Sequence, residues 1–569
     1  MSRTKKSRAA QAKAEFSDAD KKLIKEHHKH TARHTLKLEL ELTEDEKRHA
    51  FHMANNTRIL SNDLTGWISK RLKDLFRTKA YRAHLAMYKE VMERKIETEE
   101  EQEQQDQDRE AVSQLLAEDQ KKWRVTFDDL RRYMQSRYQN LKLNAQIALT
   151  VAEDVWSGVE KVLYADGKHL HFKKRGDLPI LRGKQVDRAI MLKLTEKDGK
   201  PRLTVSMKGV CTNANLLIRK NDIFVRRELY RIRSFMQHPE NEIFYARKWE
   251  ETQIAQDTFR PCYVSIQCEQ IRGKLRVFAI ITIEGKPVNK IRKDGSARRS
   301  KGKGVVGMDL GTQSAAAYSA GKDVLFINLG ERNQNYYPKK EKRIASLQRK
   351  LDRQRRAGNP DHYNEDGTIK RGAPKRKWKK SKRMRQTENH LKEEQRKLAL
   401  TREYVHKQTV NTLLSMGDVL VTEPSNARKL AKRSSRPAEI NEKTGRYKCK
   451  KRFGRSINRR APGTLFALTK AAYGSNFHTV PGKFRASQYD HTDDSYKKKK
   501  LSERTAVLSD EKRIPRDLYS AFLLANASND FSCADRSLCI ANYEHLKKAS
   551  DAFVQYAKTN HMHILNSGI

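Results

Sequence analysis

The sequence predicts a multidomain α+β protein. Three observations carry that prediction. Helical patterning runs through residues 43–165, alternating apolar and polar runs joined by tight turns mark 166–285 ahead of a basic linker, and a succession of strand, strand, strand, long helix, strand and helix begins at 304. At 569 residues the chain has room for three or four domains of ~150 residues each. Hydrophobic residues make up 37%, which is lean, yet 18 Phe, 20 Tyr and 5 Trp are enough to build cores.

Residues 1–33 read as a basic, polar arm that stays disordered until bound. HTLKLELEL (34–42) alternates apolar and polar residues and is expected to be a strand; Thr43 with Glu46 forms a capping box that opens a helix. Helical segments follow to about 165, among them NNTRILSNDLTGWISKRLKDLF and AVSQLLAEDQKKW. The acidic stretch 97–110 interrupts them and reads as an exposed helix or linker, with an internal nucleic-acid mimic as the alternative. Two hairpins are expected next, one turning at Asp198-Gly199 within 189–209 and one near Arg272-Gly273 within 262–285, together suggesting a small barrel. Residues 286–303, dense in Lys and Arg, read as a basic linker. GVVGMDLG (304–311), AAAYSA (315–320) and DVLFINL (323–329) are three expected strands; a basic, largely helical region (339–410) separates them from DVLVTE (418–423), an apolar strand ending on a carboxylate. No internal repeat of fixed period is present.

The charge points to the partner. With 119 Lys+Arg against 70 Asp+Glu the formal net charge is +49, too large for an ordinary metabolic enzyme, because self-repulsion opposes compaction unless a polyanion neutralises it. Nucleic acid is the expected partner. No apolar run approaches the ~20 residues of a membrane span, and MSRTKKSRAAQAKAEF carries no apolar stretch of a secretory leader, so no membrane association and an intracellular location are expected. The six cysteines form no CxxC pair, which argues against a zinc ribbon or finger; Cys262 and Cys268 lie on one face of an expected strand and read as thiols of a reducing cytosol.

Asp309 ends an apolar strand beside a glycine turn, and Glu423 ends another, with Pro424 breaking the strand after it. Each is weak alone; together they fit a sheet whose strand tips present carboxylates to one hard metal. Two residues compete as a third acid. Asp517, in KRIPRDLYSAFLLANA, opens an amphipathic helix, whereas Asp535 reads as the N-terminal cap of the final helix. The choice falls on Asp517.

GVVGMDLGT, VLVTE and RDLYSAFL resemble, in order, the three acidic motifs of RuvC-type nucleases with an RNase H-like fold. More narrowly the chain resembles transposon-encoded TnpB proteins and compact type V CRISPR effectors, over most of its length. The resemblance implies a first wedge strand at 34–42, a helical recognition domain at 43–165 and a β-barrel-like wedge domain with linker at 166–303. It further implies a RuvC nuclease domain at 304–485 with its basic insert at 339–410, a target-nucleic-acid-binding insert at 486–513, and RuvC C-terminal helices at 514–569. FGRSINRRAPGTL (453–465) and 486–505 resemble the stretch between the second and third motifs in one branch. Asp309, Glu423 and Asp517 would then bind two magnesium ions for phosphodiester hydrolysis, with Arg504 and Arg516 expected to make generic contact with the nucleic-acid backbone and, as the lesser alternative, to steady the scissile phosphate. Many relatives carry a zinc ribbon before the third acid; here Ser487, His491 and Asp493 stand where thiolates are expected and no cysteine occurs from 450 to 532, so no zinc is expected. A His/Asp metal knuckle at His491 is the lesser alternative to a structural or phosphate-facing role.

The function implied is an RNA-guided DNA endonuclease of a prokaryotic cytosol. It would hold a guide RNA and a double-stranded target bearing a short flanking motif, as a monomer or a dimer on one RNA. Its rivals are a guided binder that does not cut and a basic RNA-binding scaffold protein. Trp378, among KRKWKKSKRMRQ, is expected either to stack on a base or to pack beneath its neighbours' aliphatic stems.

Overall fold

A computed structural model of the chain describes residues 16–94, 98–165, 167–197, 199–254, 256–288, 290, 302–320, 322–331, 336–370, 378–425, 427–431, 440–441, 446–447, 454–497, 500, 503–565 and 567. Residues 1–15 of the expected arm, most of the basic linker, Asp198 and Cys449 lie outside them. The chain divides into two compact units, Met1–Asn289 and Lys290–Ile569. Both mix helices and sheet, and no helix among the described residues is long and apolar enough to cross a membrane.

The first unit opens with a correction. Where a disordered arm was expected, Asp18–His30 (α1) is a helix, capped by Ser17 and Asp20 in a capping box and burying Ile24 and His27. Its Lys and His residues suggested a solvated segment, but His28 is matched by the buried Glu242 and Glu284 and His27 by Thr31 and the Gln256 amide, which sequence spacing does not show. Strand Arg33–Leu40 (β1) follows, then Glu44–Leu75 (α2), whose Thr43–Glu46 capping box forms as expected. Lys79–Glu93 (α3) leads to Glu99–Lys122 (α4), so the acidic stretch is an exposed helix resting on Val112 and Leu116. Phe127–Gln135 (α5) and Ala145–Tyr164 (α6) complete the helical part, where Leu60, Leu64, Ile68 and Leu72, one turn apart on α2, meet Val151, Val155 and Val159 of α6.

The sheet of this unit has seven strands: β1, Leu181–Arg182 (β2), Ile190–Lys197 (β3), Lys200–Met207 (β4), Cys211–Leu217 (β5), Pro261–Ile271 (β6) and Lys274–Glu284 (β7), in the order β2-β6-β7-β1-β5-β4-β3. It curls around Leu36, Leu38, Val205, Val264 and Ile281. Gly183 marks a close approach, since a Cβ there would lie 2.7 Å from the Val264 carbonyl oxygen and 3.6 Å from Ile190. Both expected hairpins are present. Lys197 pairs with Lys200, and Ile271 with Lys274 across Arg272 (φ 53°) and Gly273 (φ 80°), a turn that requires two left-handed residues. Two helices interrupt what reads as pure β in the sequence: Ile223–Gln237 (α7) and Glu242–Thr252 (α8). Val225, Glu228 and Ile232 give α7 its helical period, and the acid among them hides the pattern.

In the second unit Val305–Leu310 (β8), Ser314–Ser319 (β9) and Lys322–Asn328 (β10) form an antiparallel meander, as expected. Tyr336–Gly358 (α9) and Lys382–Met416 (α10) are the long basic helices, tied where Lys340 Nζ meets the buried Glu394 at 2.7 Å. Val419–Thr422 (β11) then adds parallel to β8. Helix Pro462–Tyr473 (α11) leads to a fifth strand that the sequence reading missed, Phe477–Thr479 (β12), parallel to β11. The resulting order is β10-β9-β8-β11-β12. Helices Arg516–Ala525 (α12) and Arg536–Thr559 (α13) close the unit.

Candidate active site

Strand alternation sends neighbouring side chains of β8 to opposite faces. Val306 and Met308 enter a core with Leu413 and Met416 of α10 and Leu420 of β11. Gly307 and Asp309 therefore share the other face. The parallel register pairs Val421 with Gly307 and Thr422 with Met308, and Thr422 Oγ1 donates to the Met308 carbonyl at 2.7 Å, pinning the two strand tips together. Val421 packs into the core of the second face with Leu518 and Ala521. Glu423 follows directly on β11, exposed, with its charge near enough to act on Asp309. On the other flank Asp309 pairs with Ala316 of β9, a small residue that leaves room above the sheet.

Helix α12 lies across this face. Every residue from Leu518 to Leu524 is buried, and the helix comes so close to β8 that a Cβ on Gly307 would sit 1.9 Å from the Ala521 carbonyl oxygen. Glycine at 307 is what allows the crossing. Asp517 stands in the first turn of α12 and Ser520 one turn on, the latter buried. The Arg516 amide donates to the Arg504 carbonyl at 2.9 Å and its Nη1 to the Glu503 carbonyl at 3.1 Å, while Nη2 lies 3.6 Å from Asp517 Oδ1.

The electrostatics join the three acids. Burial holds the Asp309 carboxyl well above the usual carboxylate range, and the charges of Asp517 and Glu423 push it further; Arg516 and the Ser520 hydroxyl oppose the rise. Burial also raises Asp517, against the pull of Arg516 and Arg504. It raises Glu423 too, although the open surface of that residue limits the effect. Too much negative charge for this enclosure is what a bound cation would relieve, and all-oxygen donors suit magnesium. Among the described residues no group of three or more His, Cys, Asp or Glu side chains is arranged to hold an ion.

The other candidates go elsewhere. Asp535 caps α13, its Oδ1 accepting from the Leu538 amide at 3.1 Å. His491 is buried among Tyr519, Phe522 and Tyr543, with its Nδ1 2.8 Å from Tyr519 Oη, and its backbone carbonyl accepts from Arg536 Nε at 3.0 Å. Burial depresses its basicity, and its place is structural. Asp493 is engaged by Lys497 Nζ at 2.8 Å and by the Ser495 and Ser509 hydroxyls, each at 2.6 Å. Trp378 meets His362 and Tyr363 edge-on beneath Arg355. Sequence reading missed Gly307 and Ser520; a lone glycine inside an apolar strand is the signal for the first, and nothing local marks the second.

Comparison with models of known protein families finds no match, and neither does comparison with curated proteins.

Proposed function

We propose that the chain is an RNA-guided DNA endonuclease whose RuvC-type site is formed by Asp309, Glu423 and Asp517. What supports this reading is the place of Asp309 at the tip of β8, within reach of the charges of Asp517 and Glu423 and beside a helix admitted by Gly307. A central first strand with an antiparallel meander on one side and parallel strands on the other is the arrangement expected of an RNase H-like domain, and it favours this reading over a scaffold protein. Asp309, Glu423 and Asp517 would hold magnesium, which when bound supplies an activated water and charge neutralisation at the leaving oxygen. The protein's own part is to enclose the carboxylates, orient them from two strand tips and one helix, and set Arg516 and Arg504 where a phosphate would approach. A net charge of +49 supplies the backbone affinity for guide and target, and base pairing would supply sequence choice. Purification of the full chain from cells, followed by sequencing of the RNA that accompanies it, tests the guided reading. A discrete RNA species with a constant scaffold supports it, and a sample that mirrors total cellular RNA refutes it.

A further inference from the structure

A cavity of about 510 Å³ lies along α1 in the first unit, between the helix, the start of β1 and the segment entering β6. Its lining is chemically one-sided. Lys21, Lys25 and Lys29 follow one another at one-turn spacing along the helix, Arg33 and Arg260 close the far side, and no carboxylate lines it. Phe16 and Ile24 give it an apolar wall, Ile24 being buried.

The cations are held in place from behind. His28, at the floor, lies 2.9 Å from Glu242 through Nε2 and 2.9 Å from Glu284 through Nδ1. Arg260 Nε lies 2.8 Å from Glu284 and 3.3 Å from Glu242, and Arg33 Nη2 3.5 Å from Glu284. Both ring nitrogens of His28 face carboxylates. The two buried acids offset the charge of His28 and Arg260, so the floor is a set of fixed donors close to neutral, and the cavity's positive charge comes from Lys21, Lys25, Lys29 and Arg33. On the rim, Lys21 and Lys29 have exposed partners in Asp18 and Glu26, pairs worth little in water. Among the described residues Lys25 has no carboxylate within ion-pair distance. A floor of fixed donors, a rim of three lysines with Arg33 and an aromatic wall match a phosphate joined to a flat ring.

We infer that this cavity binds one nucleotide, its phosphate held by Lys21, Lys25 and Arg33 above the His28–Arg260 floor and its sugar and base laid against Phe16 and Ile24. This deepens the nucleic-acid reading proposed above and rests on it for the biological source, but the pocket chemistry is tested without any cutting assay.

The full chain, freed of nucleic acid, is titrated calorimetrically with adenosine 5′-monophosphate, with adenosine, and with a four-nucleotide RNA carrying or lacking a 5′ phosphate. Parent protein, Lys21→Ala/Lys25→Ala and a control of equal charge loss outside the cavity, Lys89→Ala/Lys274→Ala, are compared. The phosphorylated ligand should bind about tenfold more tightly than its unphosphorylated counterpart, and the cavity variant should lose about tenfold while the control loses little. Both lysines of the cavity variant are on an exposed helix face, so its fold should survive; Phe16→Ala provides a second variant, weakening nucleotide and nucleoside alike. Discrimination already present with the mononucleotide identifies a free nucleotide as sufficient, and discrimination only with RNA identifies a strand end. Indifference to the phosphate, or equal losses in cavity and control variants, overturns the inference while leaving the nuclease proposal standing.

Discussion

Gly307→Ala probes how the fold builds the site. The added Cβ would lie 1.9 Å from the Ala521 carbonyl oxygen, 2.3 Å from the Ala525 nitrogen and 2.9 Å from the Leu524 carbonyl carbon. All three are helix backbone, so no side-chain rotation relieves the clash. Ordinary contact begins at 3.4 Å, and α12 must lift from β8 by roughly 1.5 Å to reach it. Overpacking a core typically costs 1–3 kcal/mol, and a helix forced off its strand belongs near the top of that range, about 3 kcal/mol. At about 2–4 °C per kcal/mol for a unit of this size, the melting temperature should fall by 6–12 °C. The same lift moves Asp517 away from Asp309 and Glu423, and a displacement of about 1 Å in a catalytic group is worth about a hundredfold in rate. Thermal unfolding together with guided cleavage in magnesium reads both effects. A variant that melts within ~2 °C of the parent and cuts at full rate would show that α12 does not cross β8 at this glycine.

Three further outcomes are expected. Stability should peak between about pH 4.5 and 6.5: burial opposes but the facing Glu242 and Glu284 raise His28, Glu228 raises His34, and His28 with Arg260 holds Glu284 at about 2. The histidine contribution is lost as pH rises through the raised values, and the Glu284 contribution as pH falls below about 4.5 toward 2; His28→Gln should flatten the alkaline limb of a melting-temperature profile, and an unchanged limb would refute the assignment. Asp535→Ala should cost about 1 kcal/mol in chemical denaturation, as a lost cap does, and retain cutting, whereas Asp517→Asn should fold and not cut. Tyr519→Phe removes the hydroxyl that faces His491 Nδ1 at 2.8 Å and accepts from its amide at 3.1 Å, and should cost about 1–3 kcal/mol in the same measurement.

What sequence could show depended on whether the signal was local. The Thr43–Glu46 box, the two hairpins, the meander from β8 to β10 and the cap at Asp535 follow from neighbouring residues, and all were legible. Helix α1 was not, because its buried face includes His27, and the partners of His27 and His28, among them Gln256, Glu242 and Glu284, lie more than 200 residues away. Strand β12 was missed because three residues, Phe-His-Thr, carry no periodic signal; it exists because β11 offers a free edge. For the site, Asp309 and Glu423 were visible as acids ending apolar strands. That their strand tips lie side by side follows only from the parallel register, and that α12, which begins with Arg516 and Asp517, packs against β8 follows from the glycine that lets it approach.

The most direct measurement of the central claim is cleavage of a guide-matched duplex by the reconstituted chain in magnesium, comparing parent protein with Asp309→Ala and Glu423→Ala, alongside guided binding to the same duplex. The carboxylates serve the chemistry while affinity rests on dispersed phosphate contacts. The account therefore predicts cutting by the parent, loss of cutting in both variants and binding largely retained. Cleavage by either variant within about tenfold of the parent, a loss of under 1.4 kcal/mol of transition-state stabilisation, would contradict it.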